Sequence, residues 1–181
     1  MTAIIVLFIL IVVAVLLISI YNRLVQLRVR CDSAWSDIDV QLKRRHDLIP
    51  ELTEIVNGFS AQQKSALENV VELRARAIQT SDPEDRAAVE RQLSAALTTV
   101  LAVVESHPEL KSSANFKPLR TSLDQNENSI QMAQRYYNSV VTDLNAKMKS
   151  FPASLLAGMF GFASRPLFAA SEEREPVRVK F

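Results

Sequence analysis

A chain of 181 residues with a formal net charge of +1 has room for one modest domain and an appendage, and it carries no electrostatic bias toward nucleic acid. Three glycines are too few for a fold built on tight turns or phosphate-cradling loops, and a single cysteine, Cys31, excludes an internal disulfide. Alanine, leucine, glutamine, glutamate and arginine dominate, which points to an all-α protein.

The first element is "AIIVLFILIVVAVLLISI", Ala3 to Ile20, free of charge, glycine and proline. At 1.5 Å per residue, about 18 residues span roughly 27 Å, close to the hydrocarbon thickness of a bilayer. A cleaved signal peptide wants a basic lead and small residues at a cleavage site, and "LLISIYNR" offers neither. Residues 1–22 therefore read as a retained single-pass anchor, with Tyr21 where an interfacial aromatic belongs. Nothing basic precedes the span except the terminal amine, whereas Arg23, Arg28 and Arg30 follow it. The positive-inside rule places the N-terminus outside and the folded part in the cytoplasm at the cell (inner) membrane, with a periplasmic or extracellular bundle as the alternative. The same three arginines are candidates to meet anionic headgroups.

Residues 23–150 carry helical periodicity. Small or apolar positions recur at Cys31, Ala34, Ile38, Leu42, Ile49, Leu52, Val56, Phe59, Ala66, Val70, Leu73 and Ala77, in steps of three and four. The phase survives Pro50 and Gly58, which favours a long kinked helix over a chain reversal at the proline. "SDPEDR" marks a boundary: Asp82 can cap a new helix, Pro83 suits its first position, and Glu84 and Asp85 favour the positive end of its dipole. That helix buries Val89, Leu93, Leu97, Val100 and Val104, and Pro108 interrupts it. A third seam runs Phe116, Leu119, Leu123, Ile130, Ala133, Tyr137, Val140, Leu144, Met148 and Phe151, with Asn126 in its line. The fold expected is an elongated antiparallel up-and-down bundle of about four helices behind the anchor, followed by an irregular apolar tail over residues 151–181.

The stretch "DIDVQLKRRHDLIP", Asp37 to Pro50, crowds seven ionisable side chains into the first seam. Pairs one turn apart, such as Asp39 with Lys43 and Lys43 with Asp47, read as solvated ion pairs, and His46 as a partly exposed helix residue. Arg45 is different, because it occupies a seam position and must find water or an acceptor inside. The third seam supplies Asn126 and Glu127, with Tyr137 and Asn138 further along. A polar layer in which Arg45 pairs with Glu127 and fixes helix register is the expected role.

Catalytic signatures are absent. With two histidines, no His-x-x-x-His, no Glu-x-x-His pair, no cysteine cluster, no serine elbow and no glycine-rich loop, the chain reads as no enzyme and calls for no cofactor. A metal-dependent activity at Asp39 and His46 is the distant alternative. "LKRR" is a brief basic run flanked by acids with no aromatic platform, so nucleic acid is not an expected partner.

The tail "FPASLLAGMFGFASRPLF" holds two of the three glycines and more apolar surface than a slim bundle covers. It could cap the core, lie in the lipid interface or pack against a neighbouring subunit. The last reading is preferred, with Phe151, Leu155, Leu156, Met159, Phe160, Phe162, Leu167 and Phe168 as the self-association surface. "SEEREP" then reads as a solvated spacer and "VRVKF" as a short final strand or an extended addition.

The stretches "YNRLVQLR", "AWSDIDVQLKRRHDLIPEL", "HPELKSSANF", "NENSIQMAQRYYNSVV" and "SFPASLLAGMFGF" resemble the LemA family of bacterial membrane-anchored proteins, from about Tyr21 to Phe168. Departures are small: Asn126-Glu127-Asn128 stands where the family usually shows Thr-Glu-Asn, and Asn57-Gly58-Phe59 where Lys-Gly-Tyr is common. The resemblance implies an N-terminal membrane helix, a helical-bundle domain and no established enzymatic activity. One branch of the family is associated with magnetosome membranes, and other members carry lipoprotein-type N-termini. The function expected is a membrane-anchored scaffold that self-associates as a homo-oligomer and organises membrane or membrane proteins. An adaptor or regulatory subunit for one membrane partner, such as a protease or signalling protein, is the alternative.

Overall fold

The computed structural model describes residues 1–56, 61–108 and 113–168. Five helices account for most of them, and no strand occurs among the described residues. They are α1 (Thr2–Val56), α2 (Ala61–Gln79), α3 (Pro83–Glu105), α4 (Phe116–Lys149) and a short α5 (Ala153–Met159). The spacer "SEEREP" and the strand expected at "VRVKF" lie outside the described residues, as do Gly58 and Phe59.

α1 runs 55 residues without a break. Its first part leaves every large apolar side chain from Ile4 to Ile18 exposed, and the helix holds an 18-residue stretch near its start that is long and apolar enough to cross a bilayer. α3 also passes a test of length and apolarity, but half of its apolar stretch is buried against the rest of the chain, as befits a core helix.

The helix neither stops nor reverses at Pro50. Proline has no N–H to donate to the carbonyl four residues back, which strands the oxygen of His46. Arg74 on α2 supplies the missing donor, with its Nε 2.8 Å from His46 O. With only four residues between Val56 and Ala61, a bond that far from both helix ends requires α2 to return antiparallel beside α1. The seam read as one helix from Cys31 to Ala77 is thus two helices. A proline on an exposed helix face costs one hydrogen bond that a neighbour can replace, so it need not mark the turn. α3 begins as the Asp-Pro signal predicts: Asp82 Oδ1 accepts from the amides of Glu84 at 2.9 Å and Asp85 at 3.2 Å, with Pro83 in the first turn.

The described chain falls into two compact units, and α1 and α4 contribute to both. Among the described residues, one comprises residues 39–134 with Phe168. There four helical segments surround a core of Ile49, Leu52, Val56, Val70, Ala77, Leu93, Val100, Val104, Leu119 and Leu123 among others. α3 runs parallel to α1, since Asp39 meets Arg86 and Arg45 meets Glu90, while α4 runs against both, since Glu105 meets Arg120 and Glu90 and Glu127 share Arg45. This is the alternation of an up-and-down bundle.

The other unit comprises residues 1–38 and 135–167. Leu24, Leu27, Cys31, Ala34 and Ile38 are buried on the α1 side, Tyr137, Val140, Val141 and Leu144 on α4, and Ala153, Leu156 and Ala157 on α5. Trp35 lies edge-on to Tyr137, with ring centroids 5.4 Å apart. Burial pushes the Cys31 thiol upward against the opposing charge of Arg165, which makes it an inert packing residue.

A buried charged layer as candidate functional site

The heptad phase of α1 turns Arg45 inward, and the next residue, His46, also lands on the buried side. On α3 the phase that buries Leu93 and Leu97 turns Glu90 inward as well. Arg45, His46 and Glu90 are 3%, 4% and 2% exposed, and such groups persist inside only when paired. Here the pairing is mutual. Glu90 Oε1 lies 2.8 Å from His46 Nε2, and Glu90 Oε2 is paired with Arg45 Nη2. The same Nη2 donates to the Glu90 carbonyl at 3.3 Å, and Arg45 Nη1 reaches Glu127 Oε2 on α4 at 3.1 Å. One guanidinium therefore ties α1 to both α3 and α4.

Electrostatics favour an ionised Glu90. Burial alone would raise its pKa, but the His46 hydrogen bond and the Arg45 charge outweigh burial and hold the carboxyl below the usual carboxylate range. Beside it, Asn126 is almost fully buried and donates from Nδ2 to Gln41 O at 3.0 Å. Asn126 Oδ1 and Arg45 Nε find no partner among the described residues. Leaving such atoms unpaired costs about 1–3 kcal/mol apiece. The layer is therefore suited to specifying which helices pack in which register more than to adding net stability.

Several residues named from the sequence fall elsewhere. His46 is buried, not partly exposed, because it is an acceptor's partner and not a surface residue. Asp39 does not pair with Lys43 along the helix; its partner is Arg86 on α3, at 2.5 Å. Asp39 and His46 therefore engage different residues of α3, and among the described residues no three His, Cys, Asp or Glu side chains cluster as a metal site. Tyr137 and Asn138 belong to the unit of residues 1–38 and 135–167, while the charged layer belongs to the other. The Tyr137 hydroxyl donates to Pro166 O at 3.2 Å, so it serves the tail.

Glu90 is the residue that sequence reading missed. Its signal was the one that exposed Arg45: Glu90 stands three residues before Leu93 and seven before Leu97, in the line of the stripe.

The tail is strapped to its own unit. The Asn145 side-chain amide donates to Arg165 O at 2.9 Å and accepts from Arg165 N at 3.0 Å, and Arg165 Nη2 reaches Asp32 at 2.7 Å. α5 ends in a Schellman turn: Gly161 takes a φ of 68°, and Phe162 N donates to Ala157 O at 3.0 Å. The turn sets Phe160 and Phe162 against Tyr21, at centroid distances of 4.8 and 6.0 Å. Leu156 and Phe168 are buried within the chain, at 7% and 3% exposure, so they are unavailable to a second copy. Their apolar surface is consumed by packing that a helical pattern for one slim bundle does not reveal. Phe151, Leu155, Met159, Phe160 and Leu167 stay exposed. Arg23, Arg28 and Arg30 are exposed as well, and Arg28 lines a recess with Leu144 and residues 161–165.

Comparison with known proteins agrees with this architecture. Residues 34–181 match the LemA family. The protein LemA of Metamycoplasma hominis is 23% identical over 153 residues, covering 83% of this chain and 69% of the relative. With the family match running through the charged layer, the strapped tail and nearly the whole bundle, the chain belongs to the LemA family.

Proposed function

We propose that this protein is a membrane-anchored, non-enzymatic helical scaffold that self-associates and organises membrane or membrane proteins by contact. The observation that carries the reading is α1 itself, one unbroken helix whose first part is exposed and bilayer-length and whose last part lies in the core of a bundle. A tether continuous with its cargo suits a protein that holds things at a membrane.

The charged layer supports the same reading. Both oxygens of Glu90 are occupied, by His46 and by Arg45, and all three side chains are shut from solvent. A general acid or base must reach the proton it moves. A group locked on both oxygens and sealed from substrate serves assembly. The bundle is taken to lie on the cytoplasmic side, since Arg23, Arg28 and Arg30 follow the apolar span directly.

Crosslinking in native membranes, followed by mass analysis, tests the proposal. Ladders made mostly of this chain are the result expected of a scaffold. A single foreign protein recovered in fixed ratio would establish the adaptor in its place.

A further inference from the structure

Three exposed apolar side chains remain unexplained by the bundle. Leu155 and Met159 are 61% and 78% exposed and, four residues apart, share one face of α5, while Phe151, 82% exposed, stands in the turn just before the helix. The opposite side of α5, with Ala153, Leu156 and Ala157, is buried. The short helix is therefore amphipathic, with its apolar outer row bare.

The position of that row says what covers it. Phe160 and Phe162 rest on Tyr21, the first residue after the apolar span Ala3–Ile20. The pairing of α1 with α4 gives the same level independently. Trp35 faces Tyr137, and Arg28 and Leu144 line one recess, so the two antiparallel helices keep a constant register. Carried on at equal rise, that register sets Lys149, the last residue of α4, level with Arg23, with the turn into α5 just beyond it. The bare row thus sits where α1 emerges from its apolar segment.

Charge at this level has one sign. Arg23, Lys147 and Lys149 are exposed, and no acidic residue occurs before Asp32 or between Leu144 and Ser171. An apolar face at the level of exposed cations matches the boundary between acyl chains and anionic headgroups.

We propose that α5 and its flanking turns lie in the interface of the bilayer leaflet from which α1 emerges, with Phe151, Leu155, Met159 and Phe160 in lipid and Arg23, Lys147 and Lys149 on anionic headgroups. The proposal rests on the reading of α1 as a membrane anchor. It gives each copy two lipid contacts, a spanning helix and a flat foot beside it.

The test uses the full-length chain in vesicles containing phosphatidylglycerol, with bromine placed on the lipid acyl chains at shallow or deep positions. Tryptophan is introduced singly as Met159→Trp, as Leu10→Trp in the span, or as Met132→Trp on an exposed part of α4. The signal of the chain's one native tryptophan, Trp35, is subtracted in each case. All three sites are exposed in the chain, so the substitutions leave packing intact. The expected result is strong quenching of the Met159→Trp fluorophore by shallow bromine, with iodide quenching several-fold weaker than at Met132→Trp. Iodide access at position 159 equal to that at position 132 would overturn the foot while quenching of Leu10→Trp by deep bromine keeps the anchor. Protection at position 159 from both iodide and bromine would assign the row to a second copy and overturn it as well. Absence of lipid quenching at both positions 10 and 159 would remove the anchor and the foot together.

Discussion

Glu90 is the residue on which the charged layer turns. Replacing it by alanine strands the Arg45 guanidinium, leaving its Nη1 bond to the half-open Glu127, and takes the partner from His46. Breaking a buried pair from one side costs about 3–5 kcal/mol. Urea titration of the full-length chain in detergent, followed by helical circular dichroism, should show a loss of that order for Glu90→Ala. The Glu127 side chain is 38% exposed, so solvent screens its pair. Glu127→Ala should cost no more than about 1 kcal/mol. A larger loss at Glu127 than at Glu90 would reverse the ranking argued here. Acid should act through the same carboxylate. With its folded pKa depressed, Glu90 adds stability at every pH above its unfolded value, and that contribution disappears as pH falls through the folded value. The Glu90 contribution to the melting temperature should therefore be full and independent of pH near neutrality, and fade with acidification below about pH 4. Glu90→Gln should flatten this part of the acid limb, and an unchanged limb would assign the acid sensitivity to other carboxylates. Arg45 was legible from sequence because a cation in a seam must find an acceptor. Which acceptor dominates was not legible, since Glu90 and Glu127 lie on different helices and only their packing decides.

At the level of elements, Pro50 and Arg74 form a unit that neither residue announces alone. The Arg74 bond to His46 O replaces the donor that proline lacks. Removing it as Arg74→Met should cost about 1 kcal/mol, the usual net worth of a hydrogen bond. In a Pro50→Ala chain the backbone donor is restored, so the same Arg74→Met change should cost much less. A double-mutant cycle by urea titration measures the coupling, and simple additivity would refute the replacement argument. The two glycines of the tail offer an opposed pair. Gly161 has a φ of 68° with open space around its Cβ position, so Gly161→Ala should cost about 1 kcal/mol through backbone strain alone. Gly158 lies inside α5 with nothing within 4 Å, so Gly158→Ala should stabilise by about 0.5–1 kcal/mol. Thermal melts of both variants check the signs. Periodicity located α3 and α4 well because their apolar stripes and the Asp82-Pro83 start are local signals. It misjudged where α1 ends, because α2 resumes the stripe in phase and a three-to-four step does not record chain direction.

For the molecule as a whole, the decisive feature is that the chain belongs to the LemA family and joins a bilayer-length apolar helix to a bundle without an intervening loop. The apolar span and the helical bundle could be read from residues 1–22 and from the seams that follow, and the resemblance to the family from its motifs; the continuity of the one helix could not. The strapping of the tail could not, because it depends on the Asn145 amide gripping Arg165 and on Tyr137 reaching Pro166, polar bonds that carry no periodic trace.

The absence of a joint at Tyr21 has a mechanical consequence. A helix that passes from its apolar segment to residues 21–38 in one piece transmits twist, so under the anchor proposed above the bilayer would set the azimuth at which residues 21–38 present their neighbours. One alanine inserted between Asn22 and Arg23 would turn everything ahead of it by about 100° around the helix axis. Tyr21 would then swing off Phe160, and the compass setting between the embedded segment and its surroundings would be lost without disturbing a single core residue.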